Sequence, residues 1–146
     1  VGSRESQLNL HLTTNLAASS LLAPKQGVVP EAWGTQSKER QSVRVVRLDG
    51  LLAARELQQP DLVKIDVQGF EGEVIAGGRQ TLAGAKRLVV EVSLDAIYEG
   101  QPLLHDVMSS LEELGFRTDD LNETCRAWPE GKLWQVDLWM RKKDEP

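Results

Sequence analysis

Apolar and polar residues alternate over residues 7–13, with Leu8, Leu10 and Leu12 on one side and Asn9, His11 and Thr13 on the other. That period predicts a half-buried strand whose polar face, His11 included, meets water. Residues 14–42 show no such period: Asn, Ser, Gly, Pro and charged residues dominate, which predicts a long surface loop with a short helical turn at 17–22. Irregular stretches of this length inside compact domains are commonly binding loops or partly disordered. Alternation returns at 43–48, and Asp49 is placed to N-cap a short helix reaching Leu57, before Pro60 and Asp61 interrupt the chain.

The next run is apolar and β-branched through Leu62, Val63, Ile65 and Val67, the composition of a strand covered on both faces, yet Lys64 and Asp66 interrupt one parity of it. A helix follows at 71–83, with Val74, Ile75 and Leu82 as its stripe. Gly77 and Gly78 each weaken that helix by about 1 kcal/mol relative to Ala, so they mark either a close approach or a bend. Residues 86–93 form a second buried strand broken by Glu91. Pro102 suits the first turn of the next helix, where Leu103, Leu104, Val107, Met108, Leu111 and Leu114 recur at helical spacing until Gly115. Two strands close the chain, at 116–120 and at 133–141, the latter with Trp134, Val136, Leu138 and Met140 on one face. The turn signal Pro129-Glu130-Gly131-Lys132 between them predicts an antiparallel pair.

Strand, helix, strand, helix and strand joined by short links predict an α/β fold built on a parallel sheet with right-handed crossovers and one antiparallel edge. With 146 residues the chain fits one domain spanning 1–146, able to bury about 70% of its unfolded surface. The net charge of −5, with no basic stripe, argues against nucleic acid as partner. No apolar run is long enough to span a bilayer, and no signal-peptide pattern opens the chain. The single cysteine, Cys125, excludes an internal disulfide and a multi-cysteine zinc site and fits a reducing compartment, so a cytoplasmic location is expected.

Asp66 and Glu91 fall near the carboxyl ends of two successive strands, where open parallel sheets hold ligands. A carboxylate there accepts a hydroxyl proton or holds a divalent cation. The competing reading is an ion pair of Lys64 with Glu91 or with Asp66 and no chemistry, and the residues alone leave both open. Glu71 and Glu73 lie in the first turn of a helix, where negative charge favours the N-terminal dipole; Glu71 is the nearer to the crevice. The polar loop Tyr98-Glu99-Gly100-Gln101 follows the Glu91 strand as a substrate wall or a plain turn. His105 reads as a surface or packing histidine and the terminal Arg141-Lys142-Lys143 run as a solvated tail, and Cys125 lacks the basic surroundings of a nucleophile. No metal site is expected, since a metal hydrolase needs more ligands than two strands supply. Neither a dinucleotide fingerprint nor a Walker A sequence occurs.

Several stretches together resemble the FkbM family of methyltransferases. The strongest is Asp61-Leu62-Val63-Lys64-Ile65-Asp66-Val67-Gln68-Gly69 with Glu71 following. Glu91-Val92-Ser93, Tyr98-Glu99-Gly100-Gln101-Pro102-Leu103, Leu48-Asp49-Gly50-Leu51-Leu52 and Ser19-Ser20-Leu21-Leu22 extend it over residues 2–141. The resemblance implies a partial Rossmann-like class I methyltransferase sheet and transfer of a methyl group from S-adenosylmethionine to the hydroxyl of a small molecule or sugar. It implies Asp66 beside the transferred methyl or the acceptor hydroxyl, as base or metal ligand, with Glu71 and Glu91 positioning the acceptor or the Lys64 ammonium. Lys64, Tyr98 and Gln101 would line the acceptor side. The glycine loop and ribose carboxylate that hold the donor in this family are absent, so no donor-binding residue is assigned. The chain reads as the C-terminal part of such an enzyme, truncated at its N-terminus. Two expectations follow: the isolated chain binds S-adenosylmethionine weakly or not at all, and the 62–67 strand, lacking a neighbour, drives homo-oligomerisation or is covered by residues 1–48. The rival reading is a non-catalytic α/β binding or assembly module.

Overall fold

The computed structural model describes residues 1–127 and 131–144. Two sheets are present among them. Strands β1 (Ser6–Thr13) and β2 (Ser37–Val45) form an antiparallel ribbon. Strands β3 (Leu62–Ile65), β4 (Arg87–Ser93), β5 (Phe116–Arg126) and β6 (Leu133–Lys142) form a mixed sheet in the order β3-β4-β6-β5. Helices α1 (Leu48–Ala54), α2 (Glu71–Gly77), α3 (Arg79–Gly84) and α4 (Leu104–Glu112) complete the fold.

β3 and β4 are parallel neighbours, with Ile65 opposite Val90, as the β-helix-β pattern requires. β6 is antiparallel to both β4 and β5, so the antiparallel pair expected at the C-terminus is present, with β6 inserted between β4 and β5. Of the expected turn, Pro129 and Glu130 lie outside the described residues; Gly131 has a φ of +69°.

The core lies on one face of this sheet. Leu88, Val90, Val92, Leu138 and Met140 meet Val74 and Ile75 of α2, Leu82 of α3, and Val107 and Leu111 of α4. Leu82, Leu88, Leu111 and Leu138 are completely buried, each worth about 2 kcal/mol of transfer free energy. The burial of Trp134, Val136, Leu138 and Met140 matches the alternation in the sequence. The opposite parity carries Lys64, Glu91, Gln135 and Asp137, and it leads to the site described below.

Five expectations need correction. The irregular stretch ends at Gln36, because β2 begins at Ser37; its first six residues, Ser37–Ser42, are all polar and all exposed, so a ribbon wet on both faces left no alternation to read. His11 is buried: Ser20 bridges back to it and the following turn covers that face of β1. The expected helix 71–83 is two helices meeting at Gly77-Gly78, and both offered explanations hold, since a Cβ on Gly77 would sit 1.9 Å from the Gly2 carbonyl oxygen. β5 runs on to Arg126 as an edge strand with three register irregularities; charged, bulged edges resist further pairing and hide their period. Asp49 is also not the N-cap of α1, whose N-cap is Arg47; its carboxylate accepts from the Thr81 amide at 2.8 Å and the Gln80 amide at 3.3 Å, capping α3. No helix is long and apolar enough to cross a membrane among the described residues.

Candidate active site

β3 stops at Ile65, and the chain turns through Asp66, Val67, Gln68 and Gly69 into α2. Gln68 and Gly69 hold φ values of +52° and +96°. For Gln68 the left-handed region costs about 1 kcal/mol, so something outside the turn holds it there. Ser20 does so by donating its hydroxyl to the Gln68 carbonyl at 2.6 Å. From inside the turn, Glu71 accepts the Gly69 amide at 2.9 Å.

This geometry places the Gln68 carboxamide between two carboxylates. Its Nε2 donates to Asp66 Oδ1 at 2.9 Å and to Glu91 Oε2 at 2.9 Å. The Gln135 Nε2 donates to the same Glu91 oxygen at 3.1 Å. The Tyr98 hydroxyl donates to the Ala18 carbonyl at 2.7 Å and lies 3.3 Å from Gln68 Oε1. Of these groups Gln68, Glu91, Tyr98 and Gln135 line a cavity of about 320 Å³, with Asn15 and Trp33 among its other walls. Cys125 also lines it.

Segment 14–36 forms the roof of this cavity and is pinned at several points. The Asn15 amide donates to the Gly34 carbonyl at 2.9 Å, Lys25 to Ile97 at 2.9 Å and Glu99 to Ala23 at 2.8 Å. Trp33 packs edge-on against Trp134 with ring centroids 5.7 Å apart. Residues of the long irregular stretch therefore line the cavity.

Burial, then the Asp66 charge, raises the Glu91 carboxyl above the usual carboxylate range, against the Gln68 hydrogen bond and Lys64. Burial likewise raises the Glu71 carboxyl, with main-chain amide bonds opposing. The Tyr98 phenol is pushed up by burial and by Glu91, Glu71 and Asp66, so it stays a donor at working pH. Burial and the Glu91 and Glu123 charges raise the Cys125 thiol, in keeping with an unreactive sulfur.

The expected residues therefore divide. Asp66 and Glu91 are brought together through Gln68, and Tyr98 joins them. Lys64 finds a partner neither alternative contained: its ammonium lies 3.3 Å from Asp137 on β6. That pair is half-exposed and contributes about 1 kcal/mol at most. Gln101 spends its carboxamide on the loop itself, accepting from the Ile97 amide at 2.8 Å and the Tyr98 amide at 3.2 Å and donating to Ser93 Oγ at 2.8 Å. Glu71 is 2% exposed and faces the turn. Glu73 caps nothing at its own helix start and instead accepts from Ser3. Among the described residues no group of three or more His, Cys, Asp or Glu is placed to hold a metal ion. The sequence reading passed over Gln68, Gln135 and Trp33. Only Gln68 carried a signal, as a polar residue between a strand-end carboxylate and a glycine turn.

Glu71 yields a prediction in which the isostere and the truncation diverge. Its folded carboxyl titrates above its unfolded value, so folding takes up a proton, and the cost to stability is absent below about pH 4, where the unfolded carboxyl is protonated, and grows as pH rises toward the folded value. Glu71→Gln keeps an oxygen for the Gly69 amide without a buried charge. It is expected to match or exceed wild-type stability at pH 7 and to flatten the loss above pH 4. Glu71→Leu strands the Gly69 amide and is expected to cost about 1–3 kcal/mol. Urea melts across pH check both.

Two comparisons identify the chain's relatives. A 70-residue segment is 40% identical to the 2-O-methyltransferase NoeI of Sinorhizobium fredii (strain NBRC 101917 / NGR234), covering 48% of this chain and 29% of that protein. The matched segment thus spans less than a third of the relative's length. No solved structure matches the chain. Residues 2–118 match the methyltransferase FkbM domain. With that match covering most of its length, the chain belongs to the FkbM family of methyltransferases.

Proposed function

We propose that the cavity over Glu91 is the acceptor site of an S-adenosylmethionine-dependent O-methyltransferase acting on a hydroxyl of a small molecule or sugar. The observation that carries this reading is Glu91, which lines a cavity walled by Trp33 and neutral polar groups and is joined through Gln68 to a second carboxylate, Asp66, where β3 ends. A hydroxyl becomes a competent nucleophile when a carboxylate takes its proton, and a carboxyl raised by burial is a better base than an ordinary one. Asp66 shares this role with Glu91, and Tyr98 orients the acceptor. The sheet order β3-β4-β6-β5 with antiparallel β6 supports the carboxyl-terminal part of a class I methyltransferase sheet. The name of the similar 2-O-methyltransferase supports oxygen as the methylated atom.

The described residues fit the acceptor better than the methyl donor. A cavity of about 320 Å³ lies at the low end for small-molecule sites, the size of one small acceptor. None of the residues around it forms a glycine loop, so no donor-binding residue is assigned. The test is incubation of the protein with methyl-labelled S-adenosylmethionine and a panel of sugar, polyol and macrolide-type alcohols. Label recovered as a base-stable ether on one class supports the reading. Acceptor binding without label transfer overturns it and leaves a non-catalytic binding module.

The same reading leaves β3 at a sheet edge without a partner among the described strands, with Leu62 55% exposed. We propose that this edge pairs with a second copy. Light scattering is expected to show a mass that rises with concentration and that Leu62→Lys returns to the monomer. A monomeric wild type at all concentrations overturns the pairing.

A further inference from the structure

Glu91 has two carboxylate oxygens, and the protein treats them differently. Oε2 accepts from both Gln68 Nε2, at 2.9 Å, and Gln135 Nε2, at 3.1 Å. No described residue donates to Oε1. We infer that Gln68 and Gln135 are positioning residues that together hold Glu91 Oε2 and leave Oε1 as the oxygen that meets the acceptor hydroxyl. The inference rests on the methyl-transfer reading above.

Three features carry it. The two glutamines come from different elements, the β3–α2 turn and β6, and converge on one atom from either side of β4. Such convergence fixes both the carboxylate plane and its rotation, which a single donor does not. Second, the Gln68 orientation is set by its own neighbours: its NH₂ faces two carboxylates and its oxygen faces the Tyr98 hydroxyl, so the flipped amide would put oxygen against oxygen. Third, both donors are neutral. An arginine or lysine in either place would hold the carboxylate far more strongly and leave it a weak base, whereas amides orient it at smaller electrostatic cost. The charged and titratable groups around Glu91 are Lys64 and Asp66 from β3 and its turn, Glu71 from α2, Tyr98 from the loop after β4, Cys125 from β5 and Asp137 from β6. Only Lys64 among them favours the charged form.

The strain at Gln68 supports this assignment. The side chain reaches both carboxylates from a backbone in the left-handed region, and Ser20 holds it there through the main chain rather than through the carboxamide. The amide nitrogen is thereby left to the two acids and its oxygen to Tyr98.

The experiment uses Gln135→Leu and Gln68→Leu, with Gln135 as the safer site because its backbone lacks the left-handed conformation of Gln68. Carbon-13 label in glutamate carboxyls, with Glu91→Gln to assign the signal, follows Glu91 through a pH titration. Each Leu variant is expected to move the Glu91 titration upward, the direction that follows from removing a donor to the charged form. In methyl transfer, kcat is expected to fall roughly tenfold to a hundredfold while KM changes little, and the acid limb of the pH profile moves up with the titration. A purely structural glutamine would lower folded yield without moving the titration. A Gln135→Leu protein that folds and keeps both the wild-type Glu91 titration and kcat overturns the inference. A moved titration in a protein whose wild type transfers no methyl overturns the methyl-transfer reading alone and leaves the division of the two Glu91 oxygens standing.

Discussion

Gly77→Ala is expected to destabilise the protein by about 2 kcal/mol, although it replaces a helix-weakening residue with the best helix former. Two effects oppose each other. The propensity gain is about 1 kcal/mol in favour of Ala. Against it, the new Cβ would lie 1.9 Å from the Gly2 carbonyl oxygen and 2.7 Å from its carbonyl carbon, both main-chain atoms that no rotamer change removes. The N-terminal segment must lift away, losing the Gly2 amide bond to the Val46 carbonyl at 2.9 Å and the Ser3 contacts to Glu73. Gly2 is fitted from the other side by Val45 and Phe70, so it has no slack to absorb the shift. The control is deletion of residues 1–3, which should remove the penalty and let the propensity gain show as neutral or higher stability. Chemical denaturation of the four proteins measures this directly. Gly77→Ala as stable as wild type with the N-terminus intact would sink the argument.

The glycine pair illustrates what was legible in the sequence. A doublet inside an amphipathic helix announces a packing or bending constraint, but the object it packs against, a chain start 75 residues away, leaves no local trace. The core strands were legible for a related reason. Leu88, Val90 and Val92 of β4 and the alternating residues of β6 must be apolar where they face α2–α4, so period and burial agree. Residues 37–42 of β2 and the far half of β5 carry no such requirement; both are largely polar and exposed, and their backbone pairing is set by partners distant in sequence. At the site, Asp66 and Glu91 were legible because charge in an apolar strand needs a reason. Gln68 and Gln135 were not, because a glutamine costs little almost anywhere and becomes informative only when its amide is seen between two acids. Lys64 was visible as an anomaly, but its partner Asp137 depends on β6 lying beside β4, which the order of elements along the chain does not specify.

Glu91→Gln is expected to lower kcat by roughly two to four orders of magnitude with folding intact, the range removed when a positioned general base is lost. The substitution keeps volume and shape, and its carbonyl oxygen still accepts from Gln68 and Gln135, so the loss belongs to proton transfer. Asp66→Asn tests the other member of the pair. Its Oδ1 still accepts from Gln68, yet it removes the like charge that helps to raise the Glu91 carboxyl. Glu91 then ionises more easily and is a weaker base. The acid limb of the pH profile is expected to move to lower pH while the plateau falls at least about tenfold. The two carboxylates share one amide donor, so their losses should not add: the double substitution is expected to fall little below the worse single one. Steady-state kinetics across pH on the three variants separates the roles. Equal wild-type turnover in either single variant would remove that residue from the chemistry, and an acid limb that rises in Asp66→Asn would mean that its charge stabilises the ionised form of Glu91.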